Sequence, residues 1–144
     1  MGLYPEDGTA CHFRLDQDEV APGRGAFLVA CAADGPVGCG AVRIEPAFRD
    51  RVTAEIKRMY VVPSARRRGV ARRLLESLEA EARALGARRL VLETGPRQPE
   101  AIGLYASAGF STIGAFGQYQ ASPLSVFMGK TLGSRSRASR RPRR

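Results

Sequence analysis

The sequence predicts a mixed α+β domain with a single central, mostly antiparallel sheet that contains one parallel strand pair and has flanking helices. Three observations support this fold class. Short β-rich runs separated by turn residues fill residues 26–62, and from Val70 the apolar residues change to a helical period. A buried run at residues 87–94 follows that helix. Two strands joined through one helix are parallel because the crossover returns the chain to the same end of the sheet.

The first half of the domain is predicted to contain three antiparallel strands joined by short loops. An apolar run at residues 26–33 precedes Asp34 and Gly35, a typical hairpin turn pair, and a second strand follows at residues 37–45. The third strand, residues 52–62, ends at Pro63 because proline has no N–H to donate to a neighbouring strand.

The second half is predicted to alternate helices and strands. Residues 69–85 form a helix with one apolar face, and the parallel strand follows at residues 87–94. A second helix begins at Pro99, which suits a first helical turn, and runs to residue 108. The last two predicted strands are residues 110–115 and 124–132.

The two ends of the chain differ from this middle part. Residues 1–25 have no clear period, and we expect an irregular segment with a short extended piece near residues 11–15. Residues 133–144 contain six arginines and no acid, against a net charge of +9 for the whole chain, and we expect a disordered basic tail. Such a tail could contact nucleic acid, but a solvated extension is the commoner case. The domain itself is predicted to occupy residues 26–132.

Composition argues against several classes of protein. No apolar run approaches the roughly 20 residues that cross a bilayer, and the N-terminus lacks an apolar signal segment. We therefore expect a cytoplasmic protein with no membrane contact. Cys11, Cys31 and Cys39 are odd in number and widely spaced, which is typical neither of a disulfide framework nor of a zinc site. We expect no bound metal.

Residues 66–71, Arg-Arg-Arg-Gly-Val-Ala, connect the third strand to the first helix and have the properties of an anion-binding loop. The N–H groups of a helix N-terminus have no partner within the helix, and the helix dipole adds partial positive charge there. Gly69 has no side chain to keep a phosphate away from the backbone. Three arginines supply charge and hydrogen-bond donors. A pyrophosphate would suit this loop. The alternative is an ordinary strand-to-helix turn whose basic side chains face solvent.

Two segments together resemble the GNAT superfamily of N-acetyltransferases. Arg66, Gly69 and Ala71, after a strand that ends in Met-Tyr-Val-x-Pro, match its acetyl-CoA loop pattern Q/R-x-x-G-x-G/A. Residues 99–110 are similar to the family segment A-x-x-L-Y-x-x-x-G-F. The resemblance covers about residues 27–132. It implies a GNAT-like acyl-CoA N-acyltransferase fold whose N-terminal helices are shortened or missing here.

The resemblance also implies an activity. A GNAT protein of this kind is expected to be an acetyl-CoA-dependent N-acetyltransferase. It would move an acetyl group to a primary amine of a small molecule or peptide by direct attack in a ternary complex. Acetyl-CoA is the expected cosubstrate, no metal is needed, and GNAT domains often form homodimers. The alternative is a non-catalytic acyl-CoA-binding regulatory module, because the short N-terminus leaves little chain to wall an acceptor site.

The family motifs place the coenzyme on matching positions of this chain. The pantetheine arm would pair with the backbone of the third strand near its end and with a side-chain amide, where Gln98 stands in place of the Asn that is common in the family. The pyrophosphate would lie on the loop and on the first helical turn. The coenzyme-binding positions implied are Met59, Tyr60, Val61, Arg66, Arg67, Arg68, Gly69, Val70, Ala71, Arg72 and Gln98.

Three residues are candidates for proton transfer. Glu55, near the start of the third strand, is the first candidate for general base, and its alternative role is an ion pair with Arg58 or another arginine. Glu93 is the second, with the same structural alternative. Tyr105 matches the family tyrosine that lies near the coenzyme sulfur, and its phenol could protonate the departing thiolate. Its alternative is a core aromatic.

The acceptor site is less clear from the sequence. By position, residues that could line it are Lys57, Arg58, Arg97, Phe116, Tyr119 and the rest of the loop at residues 117–123. Basic residues at its mouth would favour an anionic acceptor such as an amino acid, and ordinary solvated charge explains them equally well.

Overall fold

The computed structural model describes residues 20–21, 23–95, 99–116 and 125–133, and within them the chain forms six strands and two α-helices. The predicted fold class is confirmed, and each helix and strand predicted within residues 26–132 is present with bounds that differ by a few residues. In chain order the elements are β1 (Gly25–Ala32), β2 (Gly35–Ile44), β3 (Thr53–Val61), α1 (Val70–Ala84), β4 (Arg89–Thr94), α2 (Pro99–Ser107), β5 (Ser111–Ile113) and β6 (Val126–Thr131).

The strands form one sheet in the order β1-β2-β3-β4-β6-β5. Every neighbouring pair is antiparallel except β3 and β4, which are parallel as the crossover through α1 requires. The β1–β2 hairpin turns at Ala33 and Asp34, one residue earlier than predicted, because Gly35 already pairs with Ala32 as the first residue of β2. Gly35 has a φ of +131°, a value that suits glycine.

Both described helices pack on one face of the sheet. Their apolar residues share one core with β2, β3 and β4, in which Leu78 of α1 and Tyr105 of α2 are buried beside Ile56 and Leu92. The opposite face carries a smaller cluster built on Val91, with three aromatic rings and an isoleucine around it: Phe48, Phe116, Phe127 and Ile113. Neither α1 nor α2 has the length and apolar character that crossing a bilayer requires.

The end of β3 contains a bulge. The register between β2 and β3 shifts by one residue between Cys39 and Ala41, which pair with Tyr60 and Lys57. Arg58 lies in this bulge with a φ of +61°. Its carbonyl accepts a hydrogen bond from the Cys39 thiol at 3.4 Å. A bulge bends a strand and increases its twist, so β3 changes direction here.

Glycines in β2 allow this bent segment and α1 to pack closely. A Cβ atom at Gly38 would lie 2.9 Å from the Tyr60 carbonyl oxygen, and one at Gly40 would lie 2.8 Å from both Leu78 and Met59. The first contact is with backbone, which cannot move aside as a flexible side chain can.

We therefore expect Gly38→Ala to lower the free energy of unfolding by about 1–3 kcal/mol, as overpacking in a core does. Gly114→Ala is the matched control, because a Cβ there meets nothing within 4 Å. Its unfolding free energy should stay within about 0.5 kcal/mol of the parent. Urea unfolding of the parent and of the two variants measures both changes in unfolding free energy. Equal stability of Gly38→Ala and Gly114→Ala would contradict the close packing at Gly38.

Candidate active site

The sheet opens between β3 and β4. These strands pair only from Thr53 with Arg89 to Ile56 with Leu92. Beyond that point Lys57, Tyr60 and Val61 pair with β2, while Glu93 and Thr94 pair with β6. Within the described residues, β3 and β4 do not pair with each other beyond Ile56 and Leu92, so an extended ligand could enter between them.

The loop before α1 lies beyond the end of β3. Gly69 is the N-cap of α1 with a φ of +82°, and no side chain caps the helix. A Cβ at Gly69 would meet nothing within 4 Å, so the space above the loop is open. Amide groups of the first helical turn have no partner within the helix, and they make this end of α1 suited to an anion.

The arginines of the loop have different roles. Arg66 turns back towards β3, where its Nε donates to the Val61 carbonyl at 2.8 Å and its guanidinium lies 5.6 Å from the centroid of the Tyr60 ring. Arg67, with a φ of +67°, is exposed and donates to Glu100 of α2 at 2.8 Å. Arg68 is exposed. The loop is thus anchored through Arg66 and presents the other two arginines to solvent.

Arg72, on the first turn of α1, donates to the Ser107 hydroxyl at the end of α2. Together with the contact between Arg67 and Glu100, this hydrogen bond joins the N-terminal part of α1 to both ends of α2. Val70 and Ala71 are partly buried against the end of β3, in the cluster that contains Val61. The predicted loop positions therefore form one continuous surface.

Tyr105 lies on the helical side of the sheet. Its side chain is 6% exposed, and its ring packs edge-on against Phe110 with 5.8 Å between the centroids. Burial raises the pKa of Tyr105 from the ordinary value of 10.0 to about 12. The phenol is protonated at neutral pH, which suits a proton donor as well as a core aromatic.

Glu55 lies on the other face, in the part of β3 that still pairs with β4. Its side chain is 1% exposed and accepts a hydrogen bond at 3.3 Å from Arg43, which donates at 2.7 Å to the buried Glu45. Arg43 and Glu55 are cross-strand neighbours. The ion pair considered for Glu55 is thus present, with Arg43 as the partner instead of Arg58.

Glu93 lies on the same face as Glu55, because side chains alternate along β4 and Leu92 points into the helical core. It is the first residue of β4 beyond the last pair with β3, and its side chain is partly exposed. Ser125, just before β6, donates to its Oε2 at 2.6 Å. Ser125 was not among the candidates, since its contact with Glu93 depends on a strand pairing that the sequence does not display.

The remaining candidates divide into three groups. On β3, Met59 is partly buried, Tyr60 is 42% exposed and Val61 is buried. Phe116 is buried between Phe48 and Phe127, with 5.5 Å between the ring centroids in each pair, so it is part of a core cluster. The other predicted site residues lie outside the described residues: Arg97, Gln98, Tyr119 and the loop at residues 117–123.

The predicted structures of the chain ends also fall outside the described residues, apart from residues 20–21, 23–25 and 133.

Lys57 is partly buried and Arg58 is exposed, and both lie beside the opening between β3 and β4. In the part of the chain that the structure describes, no group of three or more His, Cys, Asp or Glu residues could hold a metal ion.

Comparison with known proteins gives one family. The model of the Acetyltransferase (GNAT) family matches residues 2–110. An IAA acetyltransferase from Azospirillum brasilense is 45% identical over 130 residues, which cover 90% of this chain and 81% of that protein. The uncharacterized N-acetyltransferase YsnE from Bacillus subtilis is 39% identical over 108 residues, or 74% of this chain and 69% of that protein.

A solved structure from Klebsiella pneumoniae, provisionally classed as an acyl-CoA N-acyltransferase, has a similar fold. Its TM-score is 0.72 at 39% identity, and the match covers 83% of this chain and 80% of that one. The resemblance of residues 66–71 and 99–110 to one superfamily is thus supported over most of the chain.

The pKa of Tyr105 can be tested directly. The chain has four tyrosines, and Tyr105→Phe should remove the component of tyrosinate absorbance that titrates near pH 12. Between pH 10 and 12 the unfolded phenol is ionised while the folded one keeps its proton, so the stability of the parent falls as pH rises. The variant should lack that loss, which is at most about 3 kcal/mol. If Tyr105→Phe instead removes a component of tyrosinate absorbance that titrates near pH 10, Tyr105 is not desolvated in the folded protein.

Proposed function

The chain belongs to the acetyltransferase (GNAT) family, and from this premise we propose that it is an acetyl-CoA-dependent N-acetyltransferase that acts on a primary amine of a small molecule or peptide. Direct attack of the amine on the thioester, with both substrates bound together, needs no metal and no covalent enzyme intermediate. One observation carries the proposal: β3 and β4 part between an uncapped helix N-terminus and a buried tyrosine.

The pyrophosphate of the coenzyme would lie on the loop at Gly69. Support comes from the positive φ and open space at Gly69, from the amides of the first turn of α1, and from the exposed charges of Arg67 and Arg68. The pantetheine arm would then run along residues 57–61 of β3, beyond the last pair with β4, and carry the thioester into the opening.

Tyr105 and the two candidate bases lie on opposite faces of the sheet. Tyr105 lies on the helical face, where it would protonate the thiolate as the carbon–sulfur bond breaks. Glu55 and Glu93 lie on the other face, from which the amine would approach. A backbone N–H of Tyr60 or Val61 would stabilise the tetrahedral oxyanion. Only a thioester held between the strands could contact groups on both faces.

The charged residues beside the opening indicate which kind of acceptor to expect. Lys57 and Arg58 lie beside the opening, and their positive charges favour an acceptor that carries an anionic group as well as an amine. Amino acids and short peptides are therefore the first acceptors to assay, and the name of the Azospirillum relative adds IAA as a ligand to test for binding.

Coenzyme binding at the loop is tested by Gly69→Glu. A carboxylate at this position adds bulk and negative charge where the pyrophosphate would lie, and we expect acetyl-CoA affinity to fall by at least about tenfold. Gly86→Glu is the matched control. Gly86 follows the other end of α1, also has a positive φ (+90°), and a Cβ there also meets nothing within 4 Å. Calorimetric titration should show parent-like affinity in this control, and equal loss in both variants would refute the loop as the binding site.

The role of Tyr105 is tested by Tyr105→Phe. The variant keeps the buried ring and loses the phenolic proton, so we expect kcat to fall on the order of 10²-fold while the Kd for acetyl-CoA stays unchanged. Thiol release with the acceptor panel measures kcat, and calorimetry measures Kd. An unchanged kcat would leave Tyr105 with a packing role only.

A further inference from the structure

Of the two carboxylates on the acceptor face, the geometry points to Glu93, held in place by Ser125, as the group that takes the proton from the amine. We propose that Glu93 is catalytic and Ser125 is its positioning residue, whereas Glu55 stabilises the sheet through Arg43. The inference rests on the proposed acetyl transfer.

Glu55 is poorly placed for proton transfer. It lies where β3 and β4 are still paired, level with Val91, and its side chain is 1% exposed. Arg43 bridges Glu55 and the buried Glu45, so protonating Glu55 would leave the guanidinium with one carboxylate fewer. Breaking a buried ion pair from one side is strongly destabilising, because the remaining charge has lost its compensation.

Glu93 has the access that Glu55 lacks. It is the first residue of β4 after the last pair with β3, at the point where the opening begins, and its side chain is partly exposed. Glu93 pairs with Phe127 of β6, which makes Ser125 its diagonal neighbour on the same face. The 2.6 Å hydrogen bond from Ser125 fixes Oε2 and leaves Oε1 for the amine.

The proposed step balances with the substrates alone. The amine nitrogen forms a bond to the thioester carbonyl carbon, and its proton passes to Oε1 of Glu93. The carbon–sulfur bond then breaks, and the thiolate takes the phenolic proton of Tyr105. Proton exchange with solvent returns Glu93 to carboxylate and Tyr105 to phenol. The products are the N-acetylated amine and the free thiol of CoA.

The hydrogen bond has a measurable consequence. A hydroxyl that donates to a carboxylate stabilises its ionised form and lowers its pKa. Ser125→Ala should therefore move the acid limb of the profile of kcat/KM against pH to higher pH. A purely structural serine would change the height of this profile and not its position.

The first experiment compares Glu93→Gln with Glu55→Gln. We expect Glu93→Gln to lose about 10²-fold in kcat, to lose the acid limb and to bind acetyl-CoA as the parent does. Glu55→Gln should lower the unfolding temperature and keep the acid limb. The reverse pattern, with the acid limb kept in Glu93→Gln and lost in a folded Glu55→Gln, would overturn the inference.

The second experiment tests Ser125 without relying on turnover. Carboxyl carbon NMR at one fixed neutral pH follows the side-chain signal of Glu93 in the parent, in Ser125→Ala and in Ser125→Thr, which keeps the hydroxyl. Because loss of the hydrogen bond changes the surroundings of the carboxylate, we expect this signal to shift in the alanine variant and to keep its parent position in the threonine variant. Ser111→Ala, an exposed serine on edge strand β5, serves as the control and should leave the Glu93 signal unchanged.

Different experimental results would overturn the proposed function and this inference. Absence of acetyl-CoA binding to the parent protein would overturn the function. A Glu93 carboxyl NMR signal that Ser125→Ala leaves unchanged would overturn the positioning role, whether or not an acceptor has been found. In the background of Glu93→Gln, Ser125→Ala should have no further effect on kcat/KM, and an additive effect would also count against it.

Discussion

The separation of β3 from β4 after Ile56 and Leu92 is the constraint on which the site depends. A sheet satisfies its backbone by pairing neighbouring strands, and among the described residues β3 and β4 do not pair with each other beyond this point. The bulge at Arg58 bends β3, while β4 stays in register with β6 through Thr94. Each strand therefore keeps its outer neighbour, and only the inner pairing is lost. An extended ligand with amide groups could complete it.

The elements around this opening are joined to one another. Gly38 and Gly40 let β2 approach the bent part of β3 and α1, and Arg66 ties the loop to the end of β3. Side chains from the loop and from the first turn of α1 reach α2 through Glu100 and Ser107. These hydrogen bonds hold the N-terminal end of α1 and the helix that carries Tyr105 in a defined relative position, as a reaction between two bound substrates requires.

The parts of the site that could be predicted from the sequence are those defined by local pattern. The strand end, Gly69 and the start of α1 are consecutive, and Tyr105 lies within a short motif, so the sequence alone predicts their places in the fold. The partners of Glu55 and Glu93 could not be found in this way. Arg43 and Ser125 are 12 and 32 residues away, and they become neighbours only through strand register. A sequence pattern shows which residues share a face but not which strands are adjacent.

Exposure distinguishes the two carboxylates that alternation places on the same face. Glu55 lies under the paired strands and is neutralised by an arginine that also holds Glu45, an arrangement whose loss would cost stability. Glu93, two β4 positions beyond the register partner of Glu55, reaches the opening and has a single hydroxyl as its hydrogen-bond partner within the described residues. A group that must gain and lose a proton in each cycle needs solvent access and an environment that changes little when its charge changes. The environment of each carboxyl determines its role. Glu55, before the point where β3 and β4 part, is structural, whereas Glu93, just beyond that point, is catalytic.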